Sequence, residues 1–330
     1  MTESSITILV VGCGSAGTRH ARTLRKLGVN NLLLFDPDQN AADRLAAELS
    51  AKSVDSVGQG LESGPDGLIV TSPPNHHLST ANLAIESGLN CFVEKPLSDS
   101  LEGLEELLSR AERKGLFIMV GYNFRYFAPL IELKRLISSG ELGRVMTVRA
   151  EFGQYLPTWR MGTDYRSNYI TSGSNAGGVI LEESHEFDYV RWLAGPVESV
   201  YCASGRLSDL EMELEDTALV IMRHSNGALS HISVDCTQHG YARGARIVGT
   251  EGTANWTFPS MLSIVRRGGT REERELSADL AIAYELEMSE FLGCLRGLTK
   301  PRVDGWEALE SLKITLAARD SATSGNEVRI

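Results

Sequence analysis

The stretch Ile6-Thr7-Ile8-Leu9-Val10-Val11-Gly12-Cys13-Gly14-Ser15-Ala16-Gly17 constrains this chain more than any other. Its run of β-branched and aliphatic residues reads as a parallel strand buried on both faces. The strand ends in a Gly-x-Gly-x-x-Gly turn, and residues 18–27 carry helical spacing. Each glycine meets a separate need of a turn that holds a pyrophosphate. Gly12 permits the tight turn, Gly14 removes a side chain where phosphate must approach the backbone, and Gly17 lets the helix lie close to the strand. The helix start, with Ser15 and Ala16, offers N–H groups and the positive end of the helix dipole. A second apolar run, Leu32-Leu33-Leu34-Phe35, ends in Asp36. That acid lies about twenty residues past the turn, where a carboxylate binds the adenosine ribose hydroxyls. Strand, glycines, helix and acid in this order predict a dinucleotide site. Asp36 favours NAD over NADP, because a carboxylate there repels a 2′-phosphate and Pro37-Asp38 brings no arginine. Arg44 is the one nearby cation able to reach back.

A chain of 330 residues predicts two domains with ample core. Its 42% hydrophobic and 23% charged content are those of a globular protein in water. The net charge of −11 argues against a nucleic-acid surface, though it leaves room for a local basic pocket. Five cysteines, odd in number and with no C-x-x-C pair, suggest neither a disulfide framework nor a metal site. Cys13 reads as a small filler of the glycine turn rather than a nucleophile. No basic segment precedes the first apolar run, and no run approaches the length of a membrane span. A cytoplasmic protein with neither a membrane nor a nucleic-acid partner is expected.

Strand and helix alternate through residue 123. Helices are predicted over 40–50, 78–87 and 100–114, and strands over 68–70, 90–93 and 117–120. Residues 52–67 read as a short strand and a connection. This alternation predicts a parallel sheet, and in such a sheet the carboxyl ends of the strands face the ligand. Ser72, Pro73, Asn75, His77, Glu94, Lys95 and Asn123 are therefore expected at the cofactor, although His76 or His77 also serves as a simple helix cap. Beyond 123 the pattern changes. A helix over 129–139 precedes strands at 144–153, 197–206, 214–223, 227–236, 243–249 and 252–258. A helix over 178–194 interrupts them, and helices near 281–296 and 304–319 close the chain. Strands in succession predict a largely antiparallel open sheet, helices covering one face and the other wet or paired with a second subunit.

Three groups carry chemistry. Lys95 ends a buried strand, with Glu94 before it and Pro96 holding it extended. A lysine there donates to a substrate hydroxyl and stabilises alkoxide character as hydride leaves. On the 178–194 helix, Glu182, His185, Asp188 and Tyr189 fall on one arc beside Leu181 and Trp192. A sheltered histidine with acids three residues to either side suits acid/base work, Glu182 or Asp188 orienting it. Between these, Tyr155, Trp159, Arg160, Tyr165 and Arg166 interleave aromatics with arginines. That pattern suits stacking on sugar rings and pairing with an anionic group, and equally an interdomain or subunit contact.

These residues resemble the glucose–fructose oxidoreductase / inositol dehydrogenase / MocA family over essentially the whole chain. The resemblance rests on the glycine turn, Ser72-Pro73-Pro74-Asn75-His76-His77, Glu94-Lys95-Pro96, Gly121-Tyr122-Asn123-Phe124-Arg125 and the stretch from Gly177-Gly178 to Leu193. It implies an α/β protein in which a Rossmann dinucleotide-binding domain (1–123) precedes an α+β substrate-binding and oligomerisation domain (124–330). It also implies a homodimer or homotetramer built through the second sheet. The family's Glu-Lys-Pro lysine maps to Lys95 and its active-site histidine to His185. One departure is visible: many members carry Asp-x-x-x-His in this helix, whereas Glu182 precedes His185 by three residues. The implied activity is NAD-dependent hydride transfer from a sugar, sugar-derivative or cyclitol hydroxyl. The alternatives are an NAD-dependent glycosidase of the same architecture and a non-catalytic NAD(H)-responsive regulator.

Overall fold

The computed structural model describes residues 6–159, 162–173 and 176–330. It divides into two compact units, the chain through Asn123 with Ala281–Leu309, and Phe124–Leu280 with Glu310–Ile330. The expected domains place all of 124–330 in the second; the structure instead returns Ala281–Leu309 to the first. The physical reason is one apolar helix face, described below.

The first unit begins β1 (Thr7–Val11), α1 (Ser15–Lys26), β2 (Asn31–Phe35), α2 (Gln39–Leu49), β3 (Lys52–Ser53) and α3 (Val57–Glu62). It continues β4 (Gly67–Val70), α4 (His77–Glu86), β5 (Asn90–Glu94), α5 (Leu104–Arg113) and β6 (Ile118–Gly121). The strands pair in the order β3-β2-β1-β4-β5-β6, every pair parallel. Chain direction across the sheet reverses between β1 and β4, and all carboxyl ends lie on one edge. Buried Leu104, Leu107, Leu108 and Ala111 give α5 the apolar stripe that its helical spacing promised. The short α3 was not legible in 52–67. It is six residues with glycines at 58 and 60, started by the Ser56 hydroxyl accepting from the Gln59 amide at 3.1 Å.

In the second unit, α6 (Ala128–Ser138) leads into β7 (Val145–Gly153), then α7 (Val179–Glu182), α8 (Ser184–Ala194), β8 (Val197–Gly205) and β9 (Thr217–His224). Next come β10 (Leu229–Asp235), β11 (Ala242–Gly249), β12 (Gly252–Thr257), β13 (Met261–Arg266) and β14 (Arg271–Glu275). The helix α9 (Leu280–Leu295) follows; α10 (Gly305–Ser324) and β15 (Val328–Arg329) close the chain. On α9, Ala283, Met288, Phe291 and Leu292 are buried, and the Phe291 ring meets Phe92 at 5.9 Å and Phe117 at 6.1 Å. Burying side chains of this size is worth about 1.5–3 kcal/mol each, which draws the helix back to the first unit.

The nine strands of the second sheet run β14-β13-β12-β11-β7-β10-β9-β8-β15. Among the described residues, β7 with β10 is the one parallel pair; the others are antiparallel. Strands β13 to β15 were not expected, because β14 reads Arg-Glu-Glu-Arg-Glu and carries no apolar alternation. Its charges suit a sheet edge. Helices α6, α7 and α8 pack on one face of this sheet. The opposite face exposes Tyr201, Leu219, Ile221 and Leu229. The helix expected over 178–194 is broken: Glu183, at φ −92° and ψ 37°, separates α7 from α8. The single helical arc joining Glu182 to His185 is therefore corrected, because the 100° step does not run through Glu183.

The buried centre of this unit contains a fixed ion pair. Asp188 accepts from Arg125 Nε at 2.6 Å and Nη2 at 2.8 Å, and from the Ser311 hydroxyl at 3.0 Å. The Arg125 guanidinium also lies 4.8 Å over the Trp192 ring. Arg125 and Asp188 side chains are only 2% and 1% exposed, so neither has water to fall back on. Arg125→Met should cost about 3–5 kcal/mol in urea unfolding, and adding Asp188→Leu should recover most of the loss.

Candidate active site

The carboxyl edge of the six-stranded sheet gathers most of the expected cofactor residues. Gly12 sits at φ +103°, a conformation that favours glycine, and a Cβ there would fall 2.8 Å from the Thr71 carbonyl carbon and oxygen. A Cβ on Gly17 would lie 1.8 Å from the Gly12 carbonyl oxygen, so α1 approaches β1 more closely than any side chain allows. A Cβ on Gly14 would meet nothing within 4 Å. Gly14 and Ser15 are exposed, Ala16 is partly so, and no side chain caps the start of α1. Their free N–H groups and this open space suit a pyrophosphate. Asp36 turns inward: it accepts from the Cys13 amide at 2.6 Å and the Asp38 amide at 2.8 Å. Each oxygen retains a lone pair for a ribose hydroxyl. Burial, and then Asp36, push the Cys13 thiol up to about 12, as befits a filler.

Further along the edge, the Thr71 hydroxyl donates to the Val11 and Gly12 carbonyls at 3.0 and 2.8 Å, locking β4 to the turn. Ser72 Oγ and both amide atoms of Asn123 are buried with no hydrogen-bond partner. Such orphaned groups fit a polar ligand that the edge is built to receive. Pro73 and Asn75 are exposed. His77 is different. Its Nδ1 lies 2.8 Å from the Pro96 carbonyl oxygen and its Nε2 2.7 Å from that of Ser72. Burial lowers its pKa against the opposing pull of those carbonyls, Glu94 and Asp99, and the neutral ring donates to one carbonyl at a time. Both nitrogens thus face the protein, and the expectation that His77 contacts the cofactor is corrected to a tie between two loops.

Lys95 follows directly on β5, and its backbone is held on both sides. Glu94 Oε2 accepts from the Lys95 amide at 3.1 Å, while His77 secures the Pro96 carbonyl. Glu94 Oε1 lies 2.6 Å from Nε2 of His20, a fully buried residue of α1 that sequence reasoning missed. Burial raises the Glu94 pKa, but the His20 hydrogen bond and charge, with Arg19 and Lys95, bring it down to about 2. Glu94 is thereby a second support of the Lys95 backbone.

In the second unit, His185 lies in the first turn of α8, 9% exposed, with its ring edge-on to Phe124 at 5.0 Å. Both Asp188 oxygens are engaged by Arg125 and Ser311. Glu182 is held by the Tyr169 hydroxyl. Around His185, Arg243 binds Glu183 and Glu186, the latter at 2.8 Å, and lies between the Phe124 and Phe152 rings at 4.5 and 4.4 Å. Burial opposes the Arg243 charge, but Glu186 and Glu183 raise its pKa well above the ordinary value. The arginine so placed fixes the break at Glu183, and with it the start of α8. Nothing in residue spacing signals this, since Arg243 lies 57 positions from Glu186.

The aromatic loop is ordered by its own contacts. Trp159 donates from Nε1 to the Gln154 carbonyl at 2.9 Å, and Tyr155 packs on His239 at 4.4 Å. Trp159 and Tyr165 line a cavity of about 100 Å³ with Leu156, Pro157 and Thr163. Arg166 is engaged by Asp164 at 2.8 Å and Glu211 at 3.1 Å, its side chain 55% exposed. Arg160 lies outside the described residues. The glycine geometry gives a paired expectation. Gly17→Ala should lower stability by about 3 kcal/mol in thermal unfolding. Gly14→Ala should unfold like the parent and lose NAD binding by calorimetry.

Comparison with known proteins agrees with this arrangement. Residues 6–122 match the family model described as an oxidoreductase family with an NAD-binding Rossmann fold, and residues 130–255 match the GFO/IDH/MocA C-terminal domain. Myo-inositol dehydrogenase Hyg17 of Streptomyces leeuwenhoekii is 30% identical over 331 residues, 97% of this chain and 98% of that protein. The scyllo-inositol 2-dehydrogenase (NAD(+)) of Bacillus subtilis is 26% identical, covering 99% of this chain and 97% of its own. Among solved structures, the WlbA dehydrogenase of Bordetella pertussis, in complex with NADH and UDP-GlcNAcA, superimposes with a TM-score of 0.83 at 24% identity. That likeness covers 99% of both chains and speaks for the fold. With both models matched and a relative aligned along nearly its whole length, the chain belongs to the GFO/IDH/MocA family of oxidoreductases with an NAD-binding Rossmann fold.

Proposed function

We propose that this NAD-dependent oxidoreductase acts on a carbinol of a cyclitol, sugar or sugar derivative, with Lys95 and His185 as its catalytic residues. The observation that carries the reading is the Lys95 backbone, fixed through Glu94 on one side and His77 on the other. Oxidation of a carbinol removes a proton from oxygen and a hydride from carbon. Bound NAD supplies the hydride acceptor, held by the Gly12–Gly17 turn, Asp36, Ser72 and Asn123. Lys95 donates to the carbinol oxygen and stabilises its developing charge. His185 takes the hydroxyl proton, with Glu182 rather than Asp188 as the acid that steadies it. Tyr155, Trp159, Arg160, Tyr165 and Arg166 belong to the loop that selects the substrate, the aromatics offering faces to a ring. The inositol specificity of the two relatives puts cyclitols first among substrates.

The protein acts in the cytoplasm and as a homodimer or homotetramer. Five free, buried cysteines suit a reducing compartment, and among the described residues no helix is long and apolar enough to cross a membrane. The open sheet face, with Leu219 57% and Ile221 54% exposed, is the surface that pairs.

Growth of NADH absorbance during incubation with NAD and a panel of inositols, sugars, uronates and nucleotide sugars tests the activity. Turnover with one class names the substrate, and silence across the panel with NAD bound defeats the reading. Lys95→Ala and His185→Ala should each lower kcat by about 10²- to 10⁴-fold while NAD affinity holds. Normal turnover in both removes them from the mechanism. Leu219→Glu with Ile221→Glu should reduce the mass in sedimentation equilibrium to that of one chain.

A further inference from the structure

Glu287 on α9 is 0% exposed, and neither carboxyl oxygen has a hydrogen-bond partner. Nδ1 of His20, equally buried, also has none. Two orphaned polar groups in one core call for a common account, since each left alone costs about 1–3 kcal/mol. They belong to the same neighbourhood. The His20 ring meets Phe92 edge-on at 5.0 Å and Tyr284 at 6.0 Å. Tyr284, Glu287 and Phe291 succeed one another on one face of α9, and Phe291 meets that same Phe92 at 5.9 Å. The charged groups around this core are Arg19 and His20 on α1, Glu94 and Lys95 at the end of β5, and Glu287 with Glu290 on α9. Burial first, then the charge of Glu94, raises the Glu287 pKa well above the ordinary value, while Arg19 opposes.

We propose that His20 and Glu287 are positioning residues for Lys95, acting through Glu94. His20 Nε2 fixes one oxygen of the carboxylate whose other oxygen holds the Lys95 amide. A carboxyl group on this face of α9 offers oxygens that accept from His20 Nδ1–H in either protonation state. Glu287 then sets the ring plane, the ring sets Glu94, and Glu94 sets the backbone from which Lys95 projects. This inference rests on the reading of Lys95 as the residue that meets the carbinol.

The test uses the full chain and four variants. His20→Phe keeps the ring packing and loses both nitrogens; His20→Gln restores an amide donor. Glu287→Leu removes the acid; Glu287→Gln keeps a neutral donor and acceptor. His20→Phe and Glu287→Leu should lower kcat about 10- to 100-fold with little change in substrate KM or NAD affinity, and the glutamine variants should recover most of it. Acetylation of Lys95, followed by mass spectrometry without any substrate, should change several-fold in the two disruptive variants. Exposed Lys52 and Lys300 should label as in the parent. Folded variants with unchanged kcat and unchanged Lys95 labelling overturn the inference, as does lowered thermal stability alone. If the parent turns over nothing in the panel, the proposed activity fails, and the labelling decides this inference by itself. If Glu287→Leu does not fold, His20→Phe against His20→Gln decides it.

Discussion

Helix α1 lies so close to the β1 turn that the Gly12 carbonyl fills the space of a side chain at Gly17. That approach has consequences at both ends of the helix. At its start, the exposed N–H groups stand at the sheet edge beside Asp36 and Thr71. One turn further along, the same approach drives His20 into the core against Phe92 and Glu94. A bulkier residue at Gly17 displaces the exposed amides at the start of α1 and the support under Lys95 together. The glycine turn and the backbone of Lys95 therefore share one mechanical constraint, although their residues lie far apart in the chain.

The two units handle buried charge by different means. In the first, a single carboxylate is divided between an imidazole and a backbone amide, and burial, then Glu94, raises the pKa of a second carboxyl, that of Glu287. In the second, two guanidinium groups pair with three acids: Arg125 with Asp188, and Arg243 with Glu183 and Glu186. Both arginines also lie over aromatic rings, which lowers the penalty for removing them from water. Breaking such a pair is expensive, whereas keeping it adds little net stability. What it secures here is geometry: α8 begins where Arg243 holds Glu183, one residue before Ser184 and two before His185.

The parallel sheet was legible because β1, β2, β4, β5 and β6 are apolar runs closed within three residues by glycine, proline or a charged residue, a pattern set by local physics. The position of Lys95 was legible for the same reason, standing where β5 meets Pro96. The features that escaped are of another kind. His20 is one histidine on the inner face of an amphipathic helix, and spacing alone does not separate it from packing. Glu287 sits in a helix that buries residues all along it, where an acid reads as exposed. The break at Glu183 uses neither proline nor glycine, and its cause, Arg243, arrives from a distant strand. Asp188 looked like a partner for His185 because both lie on α8, but its true partner, Arg125, lies 63 positions away. The charged β14 hid a strand by lacking the alternation that marks one.

The parallel pairing of β7 with β10 shapes how such a protein diversifies. After β7 the chain must leave the sheet and re-enter two strands beyond β10, at β8, and this excursion carries the aromatic loop together with α7 and α8. The hydrogen-bonded register of β7 is set by β10 and β11, not by anything in the excursion. Insertions or deletions between Gly153 and Gly177 therefore leave the sheet undisturbed. The loop and the sheet thus answer to separate constraints, one met by contacts within the excursion and the other by the pairing of β7 with β10 and β11.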